Sequence, residues 1–536
     1  MAERLLILGA GVMQWPAIRI ARAMGLETVV VDADPNAPCV PMADRFERID
    51  LKDKEGIAGL GRGLLASGPL GIMTAGTDFS AAVAWAAEKL DLPGIPYETA
   101  LNASDKERMR RCFKAAGLPS PEFLVLTEPP GPELSLPFAY PVVVKPVDNM
   151  GGRGCRRVDT IRELIGAAGD AFKFSASGRV IVEEFMDGGE FSADAIVYRG
   201  NITICGFADR HIRFPPFFVE MGHTMPSDLD RETAGALLEI FTAGIRALGI
   251  TNGAAKGDLK LSSRGPMIGE IAARLSGGYM SGWTYPYSSG VEATRGAILV
   301  AMGKAPGGLE PKRKWTSAER AVLSIPGKIR AIYGAKEARA VTHIRDIFFR
   351  VEPGAQVGFP ENNVSKCGNV ISAAELRADA VGAAEKAARL ILIRLEVPNM
   401  ETEDFLMELS NLASADKFPP DAFTLPETPR TLLAMLPEPE YTIYPGRESL
   451  ISIYPFQELT ESELLDYAGR TVKDCLEAVR TITGLPLPLA EGGKDVPGII
   501  LGRMFWNAMI RGGCQGAAYV VDRLVLRLQG GREAKK

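Results

Sequence analysis

Histidine is nearly missing from this 536-residue chain, which has only His211, His223 and His343. Three scattered imidazoles leave no material for a histidine-rich metal centre. The seven cysteines (Cys39, Cys112, Cys155, Cys205, Cys367, Cys475 and Cys514) are dispersed, odd in number and form no C-x-x-C pair. That argues against a disulfide framework and against a structural zinc site. No apolar run approaches the roughly 20 residues that span a bilayer. The run in MAERLLILGAG lasts a few residues before glycine, so it is not read as a signal peptide. A formal net charge of −5 makes no electrostatic case for nucleic acid as a partner. With 46% hydrophobic and 24% charged residues the composition is that of a cytoplasmic globular protein. Its length exceeds one core and predicts three or four domains.

The chain opens with a buried-type strand, RLLILGAG (4–11), then a helix pattern and a second strand, ETVVVDAD (27–34). This predicts a β-α-β unit with a parallel sheet, continued through GIMTAGTD (71–78) and FSAAVAWAAEKL (79–90). Gln14 stands where a dinucleotide fingerprint has its third glycine, yet Asp32 lies about where a ribose-binding acid is expected. An NAD-dependent oxidoreductase therefore stays open on these residues alone. Beyond residue 100, a helix capped by Asp105 or Ser104 carries Lys106 at its start, awkward for a cation unless an anion is near. The strand VVVK delivers Lys145 just before a glycine loop of Gly151, Gly152 and Gly154, and such backbone can turn N–H groups onto phosphate. A strand then ends in Glu183-Glu184-Phe185-Met186, followed by a break and Glu190. Backbone groups free of the sheet beside apolar side chains suit an adenine ring, and solvent-facing charges are the other reading.

GDLKLSSRGPMIGEIAARLSGG (257–278) reads as two short strands around a turn, which could place Asp258 beside Glu270. Adjacent carboxylates repel unless a cation separates them, and hard oxygen ligands suit Mg²⁺; a solvated hairpin is the alternative. Arg274 would add a fork suited to phosphate or carboxylate. Two further stretches are candidate substrate walls or plain packing. One is RHIRFPPFFVEMGHTMPSDL (210–229) with Glu220 and His223, read as a loop; the other is SGGYMSGWTYPYSSG (276–290) with Gly277 and Trp283.

The ordered set Lys106, Lys145, the glycine loop, Glu183-Glu184-Phe185-Met186, Glu190, Asp258, Glu270 and Arg274 resembles the ATP-grasp superfamily, in particular its carboxylate–amine ligases. GAGVMQWP…DADPNAP…ADRF is similar to that family's N-terminal domain. The resemblance covers roughly residues 1–395. It implies ATP and Mg²⁺ (or Mn²⁺) as cofactors, a small carboxylate activated as acylphosphate, and attack by an amine or another nucleophile. Lys106 and Lys145 match the phosphate-contacting lysines, with Gly151 and Gly152 beside them. Glu183 to Met186 match the adenine hinge, and Glu190 the ribose-binding acid. Asp258 and Glu270 match the metal ligands, and Arg274 with Lys145 the catalytic cations. Glu220, His223, Gly277 and Trp283 fall in the substrate region. The family usually has Asn two residues after the second acid, and this chain has Ala272. A second function hypothesis is therefore an ATP-binding protein that does not ligate.

The expected architecture is mixed α/β and α+β. Residues 1–100 read as a Rossmann-like domain, 101–310 as a two-lobed ATP-grasp domain and 311–397 as a lid subdomain. Residues 398–536 read as a mostly helical extension, with helix patterns at 460–483 and 500–527 and a disordered tail from Gly530. The apolar face of the last helix argues docking or a homodimer over free solution.

Overall fold

The computed structural model describes residues 2–407, 418–425, 431, 433–436, 441–444, 450–490 and 498–533. Two units emerge from the chain's contacts, Met1–Glu319 with Ser372–Val381, and Arg320–Ile371 with Gly382–Lys536.

In the first unit, β1 (Arg4–Leu8), β2 (Glu27–Asp32), β3 (Arg45–Arg48) and β4 (Leu70–Thr74) form a parallel sheet in the order β3-β2-β1-β4. Alternate side chains leave a strand on opposite faces, and here both faces are buried. Leu6, Leu8, Val29 and Val31 pack against Ile57 and Leu64 of α2 (Lys54–Leu65) and Ala82 and Ala86 of α3 (Ser80–Lys89). Leu5, Ile7 and Val30 pack on the other side against Ala17, Ile18 and Ala21 of α1 (Trp15–Ala23). That second face is also covered by Ala297 and Ile298 from the much later helix Ala293–Ala301.

After α4 (Tyr97–Asn102) and α5 (Lys106–Ala115), a four-stranded antiparallel sheet runs in the order β5-β8-β6-β7. Its strands are β5 (Phe123–Leu126), β6 (Val142–Pro146), β7 (Arg156–Val158) and β8 (Val180–Glu184). Val142, Val144, Val180 and Val182 bury against Leu164, Ala168 and Ala171 of α6 (Ile161–Phe174), whose N-cap Thr160 accepts from the Glu163 N–H.

A larger antiparallel sheet follows in the order β13-β12-β9-β10-β11. These five of its eight strands are β9 (Gly189–Tyr198), β10 (Asn201–Arg213), β11 (Val219–Met225), β12 (Gly253–Ser262) and β13 (Gly265–Ala272). Phe241 and Ile245 of α7 (Arg231–Leu248) pack on Leu259, Ile268 and Ile271 of this sheet. Gly257 makes that approach possible, since a Cβ there would lie 2.6 Å from the Phe241 ring. Residues 210–229, read above as a loop, instead form the β10–β11 hairpin, with Arg210 opposite His223 and a bulge at His211/Ile212. Its aromatic cluster Phe214 to Phe218 sits at the tip and hid the alternation on either side.

In the second unit, Gln356–Val357, Gly327–Tyr333 and Leu392–Leu395 form a small sheet, and the C-terminal region is helical. Val472–Thr483 carries a full capping box between Thr471 and Asp474. Arg503–Glu533 is two helices joined at Gly513, whose φ of 59° and ψ of −145° break the run. The helix expected from residue 460 starts only at Val472, because Asp466 accepts from the N–H groups of Ala468 and Arg470 and closes a turn instead. A strand triplet unforeseen in the sequence, Tyr441–Tyr444, Gly498–Leu501 and Ile451–Ile453, joins this core. The extension does not stand apart from the preceding residues, for Arg394 pairs with Asp522 at 2.8 and 2.6 Å. The tail expected to be disordered from Gly530 instead continues the last helix to Glu533, and residues 534–536 lie outside the described residues. Among the described residues no helix is long and apolar enough to cross a membrane.

Candidate functional site

The β12–β13 hairpin sets Asp258 opposite Glu270, the placement the sequence left open, through a register shift between Asp258 and Leu259; without it Asp258 would face Gly269. Around these two carboxylates, β8, β9, β10, α5 and the glycine loop bring together an alternating set of charges.

Glu270 is reached by Lys106 Nζ at 3.7 Å, and Lys106 also donates to the Asn149 carbonyl at 2.7 Å, at the root of the glycine loop. Burial opposes the Lys106 charge, but Glu270, Asp78 and Glu183 outweigh it and hold the ammonium above lysine's ordinary range. Burial likewise opposes the Glu270 charge, and Lys106 leads the interactions that keep its carboxyl below the usual range. An anionic neighbourhood thus answers the awkward cation at the start of α5. Gly151, Gly152 and Gly154 adopt φ of 70°, 78° and 67°, a left-handed geometry open to glycine that a side chain would strain.

Lys145, at the end of β6, pairs with Glu183 Oε2 at 2.7 Å, and Arg110 Nε donates to Glu183 Oε1 at 2.8 Å. Arg110 Nη2 reaches on to the Gly269 carbonyl at 2.6 Å, so one buried guanidinium ties α5, β8 and β13. Burial raises the Glu183 pKa, yet Arg110 and Lys145 overcome it and bring the carboxyl down to about 2. Glu183 is therefore a buried anchor for Lys145. Its neighbours are more committed than the sequence reading allowed: Glu184 N–H donates to the Glu122 carbonyl at 3.0 Å and Phe185 N–H to that of Pro141 at 3.3 Å. The Met186 carbonyl accepts from Lys260 Nζ at 2.7 Å, and Phe185 stacks on Phe218. Glu190 lies opposite Lys260 across the strands and pairs with it at 3.1 Å.

Arg210 is the hub that sequence reasoning missed. Its guanidinium lies 2.9 Å from Asp258, 3.0 Å from Glu220 and 3.4 Å from Glu190. Asp258 is further held by Lys256 on Oδ2, and the Ser192 hydroxyl donates to its Oδ1 at 3.2 Å. Burial opposes the Asp258 charge; Arg210 and Lys256 outweigh it and keep the carboxyl below its ordinary range.

His223, in β11, is fully buried between two carboxylates. Its Nδ1 donates to Glu319 at 2.8 Å and its Nε2 lies 3.4 Å from Glu220. Burial disfavours the imidazolium, but Glu220 and Glu319 prevail and push its pKa up to about 9. A folded pKa above the ordinary 6.5 gives a stabilising contribution that is fully present below about pH 6.5 and is lost as pH rises through about 9. The urea midpoint of the wild type is accordingly expected to fall between pH 7 and 9.5, and that of His223→Gln to fall less; parallel profiles would contradict the charge assignment.

Arg274 follows β13. Its Nη1 donates to the Leu275 carbonyl at 3.1 Å, and Asp78 Oδ1 stands 3.7 Å from Nε. Among the described residues that buried Nε–H has no hydrogen-bond partner. The loop after β4 reaches this position because Ala75 bridges Leu275 and Gly76 N–H donates to the Leu275 carbonyl at 3.2 Å. Gln14 pins the same loop, donating to the Ala75 carbonyl at 2.5 Å and accepting its N–H at 3.0 Å. Asp32 is occupied by the N–H groups of Ala10 and Asp34 at 2.8 and 3.0 Å, so its carboxylate serves the turn and lends no support to a dinucleotide. Gly277 lies against Gly76. Trp283 departs from the expectation of an open pocket wall: it is buried, with Trp15 at 6.2 Å and Tyr279 at 5.3 Å between ring centroids.

Residues 138–282 match the ATP-grasp domain family, and residues 321–396 match L-amino acid ligase C-terminal domain 2. The chain carries an ATP-grasp domain. Its likeness to solved structures extends over most of the chain. An L-amino acid ligase from Bacillus licheniformis superposes with a TM-score of 0.65 at 23% identity, covering 74% of this chain and 99% of that one. The biotin carboxylase domain of Hydrogenobacter thermophilus 2-oxoglutarate carboxylase, solved with MgADP, superposes at 0.58 and 19% identity, covering 73% and 91%. Carnosine synthase 1 of Gallus gallus is 24% identical over 336 residues, which is 56% of this chain and 35% of that protein. The ATP-grasp match contains the glycine loop, the Glu183–Met186 segment, both hairpins and Arg274, whereas Lys106 and the Gln14 clamp lie before it.

The donor set of this ATP-grasp domain fits an anionic ligand. It offers the buried Arg274 Nε–H, which makes no hydrogen bond among the described residues, two lysines and a glycine loop in left-handed geometry. For a divalent cation the fit is uneven. Among the described residues Glu270 makes one ion pair, with Lys106 at 3.7 Å, whereas both oxygens of Asp258 are engaged by Arg210 and Lys256.

Proposed function

We propose that the protein is an ATP- and Mg²⁺-dependent, ADP-forming ligase that joins a small carboxylate to an amine. The observation carrying this reading is a set of buried or half-buried cations, Lys106 at 3.7 Å from Glu270, Lys145 on Glu183, and Arg274, whose buried Nε–H makes no hydrogen bond among the described residues and has Asp78 at 3.7 Å. Phosphoryl transfer calls mainly for positioning and neutralisation of charge, which such a set supplies. The matches to ATP-grasp and L-amino acid ligase families point the same way.

In this reading a substrate carboxylate oxygen attacks the γ-phosphorus of ATP and ADP leaves with the electrons of the broken P–O bond. The amine nitrogen then attacks the acyl carbon of the acylphosphate, the C–O bond breaks, and inorganic phosphate departs as the amine gives up a proton. Lys145, fixed by Glu183, and Lys106, fixed by the Asn149 carbonyl, hold phosphate oxygens. The glycine loop covers them and excludes the water that would hydrolyse the acylphosphate. Glu270 would hold the metal, which would supply neutralisation of phosphate charge when bound. Arg274 holds the carboxylate and then the acylphosphate. Glu220 and the imidazolium of His223 stand in the region of the amine. The rival reading, an ATP-binding protein that does not ligate, draws on Ala272 and on the engaged Asp258.

The test is ADP release from the full chain over a panel of small acids paired with amines. At least one pair is expected to raise release tenfold or more above ATP alone. Tight ATP binding by calorimetry with no stimulated release across the panel would favour the non-ligating alternative.

A further inference from the structure

Two carboxylates paired in register repel unless positive charge lies between them. In this hairpin the chain already supplies that charge at one of the two. Lys256 is the cross-strand partner of Ala272, two residues before Asp258 on β12 and two after Glu270 on β13. A methyl group at 272 offers no oxygen to a cation and leaves room for the long side chain opposite. Lys256 uses that room: its ammonium lies on Asp258 Oδ2, with the side chain 12% exposed. The other oxygen, Oδ1, takes Arg210 Nη1 at 2.9 Å and the Ser192 hydroxyl at 3.2 Å. Across the sheet Lys256 stands between Ala272 on β13 and the buried Asp194 on β9, with its ammonium on Asp258. A divalent ion on Asp258 would have to displace the ammonium from Oδ2 and the Arg210 guanidinium from Oδ1, and stripping partners from a buried charge is costly. Glu270 carries no such burden, because Lys106 stands off at 3.7 Å and has the Asn149 carbonyl as a second partner.

We propose that Lys256, seated by Ala272 and backed by Arg210 on Asp258, takes the place of a second divalent cation, so that the site works with one divalent ion held by Glu270. The inference rests on the ATP-binding reading above and adds to it. It assigns Lys256 a positioning and charge-balancing part that neither its place in the sequence nor the order of motifs discloses. Lys256 fills with one fixed charge the place where a mobile ion would otherwise balance Asp258.

The experiment is electron paramagnetic resonance of the full-length protein titrated with Mn²⁺ in the presence of an equimolar non-hydrolysable ATP analogue. One Mn²⁺ per chain is expected, with an uncoupled mononuclear signal. Glu270→Gln should weaken that ion at least tenfold. Two ions per chain, or the signal of an exchange-coupled pair, would overturn the proposal while leaving the ligase reading intact. No bound Mn²⁺ or analogue would overturn both. The double variant Lys256→Met/Ala272→Asn restores an oxygen and removes the ammonium, and it is expected to take up a second Mn²⁺. If it binds one, as the wild type does, the assignment of that place to Lys256 falls. The wild-type stoichiometry decides the matter even should the double variant fail to fold.

Discussion

Glu183→Gln is expected to cost about 3–5 kcal/mol of folding stability, the usual loss when one partner of a buried ion pair is removed. Glu183 is 2% exposed and answers two cations, Arg110 at 2.8 Å and Lys145 at 2.7 Å. The amide keeps the shape but withdraws the charge. Arg110, itself 1% exposed, is then left without its counter-charge, with neutral acceptors alone, the amide oxygen and the Gly269 carbonyl. Replacing both members, Arg110→Met with Glu183→Met, should recover part of the loss, since no uncompensated charge then remains in the interior. The pH dependence gives a second reading. Glu183 has a folded pKa of about 2 against an ordinary 4.5, so its contribution is present above about pH 4.5 and disappears as pH falls through about 2. Urea unfolding at pH 7 and pH 3 should show the gap between wild type and variant narrowing in acid. A gap of less than about 1 kcal/mol at pH 7, the scale of an exposed pair, would contradict the anchoring role.

Arg274→Ala is expected to lower ligase turnover by about 10²–10³-fold, the effect of deleting one preorganised donor from a developing anion. ATP affinity, measured by calorimetry, should change much less, because Lys106, Lys145 and the glycine loop remain. Arg274→Lys should recover little, since an ammonium cannot reproduce a planar fork that spends Nη1 on Leu275 and keeps Nε for the ligand. Equal losses in nucleotide affinity and turnover would instead place Arg274 among the nucleotide contacts.

Much of the fold was legible because its signals are local. Continuous apolar strands with glycine turns announced the parallel sheet, and the alternation on either side of SSRGP announced the hairpin, while the Asp258–Glu270 pairing itself depends on a register shift at Asp258/Leu259 that no alternation reports. The partners of the site charges were not legible. Arg110 meets Glu183 73 residues away and Gly269 159 residues away, separations across which no periodicity reports contact. One signal did exist: Lys106, Met109, Arg110 and Phe113 recur at helical spacing, and all four are buried on α5. Arg210 was obscured because the aromatic tip of the β10–β11 hairpin masked two strands as a loop. Trp283, among tyrosines and glycines, has the composition of a pocket wall, and only its packing against Trp15, some 270 residues earlier, shows it to be interior. Asp32 fell the other way, since a carboxylate after a second strand reads as a ligand until the Ala10 and Asp34 N–H groups are seen to use it.

The most direct test of the account labels both carboxylate oxygens of the acid found by ADP release with ¹⁸O and follows the label by mass spectrometry. Passage through an acylphosphate moves one of those oxygens to phosphorus. One ¹⁸O in each inorganic phosphate released, in step with ADP and with the amide product, is the predicted result. Unlabelled phosphate accompanying product formation would contradict it.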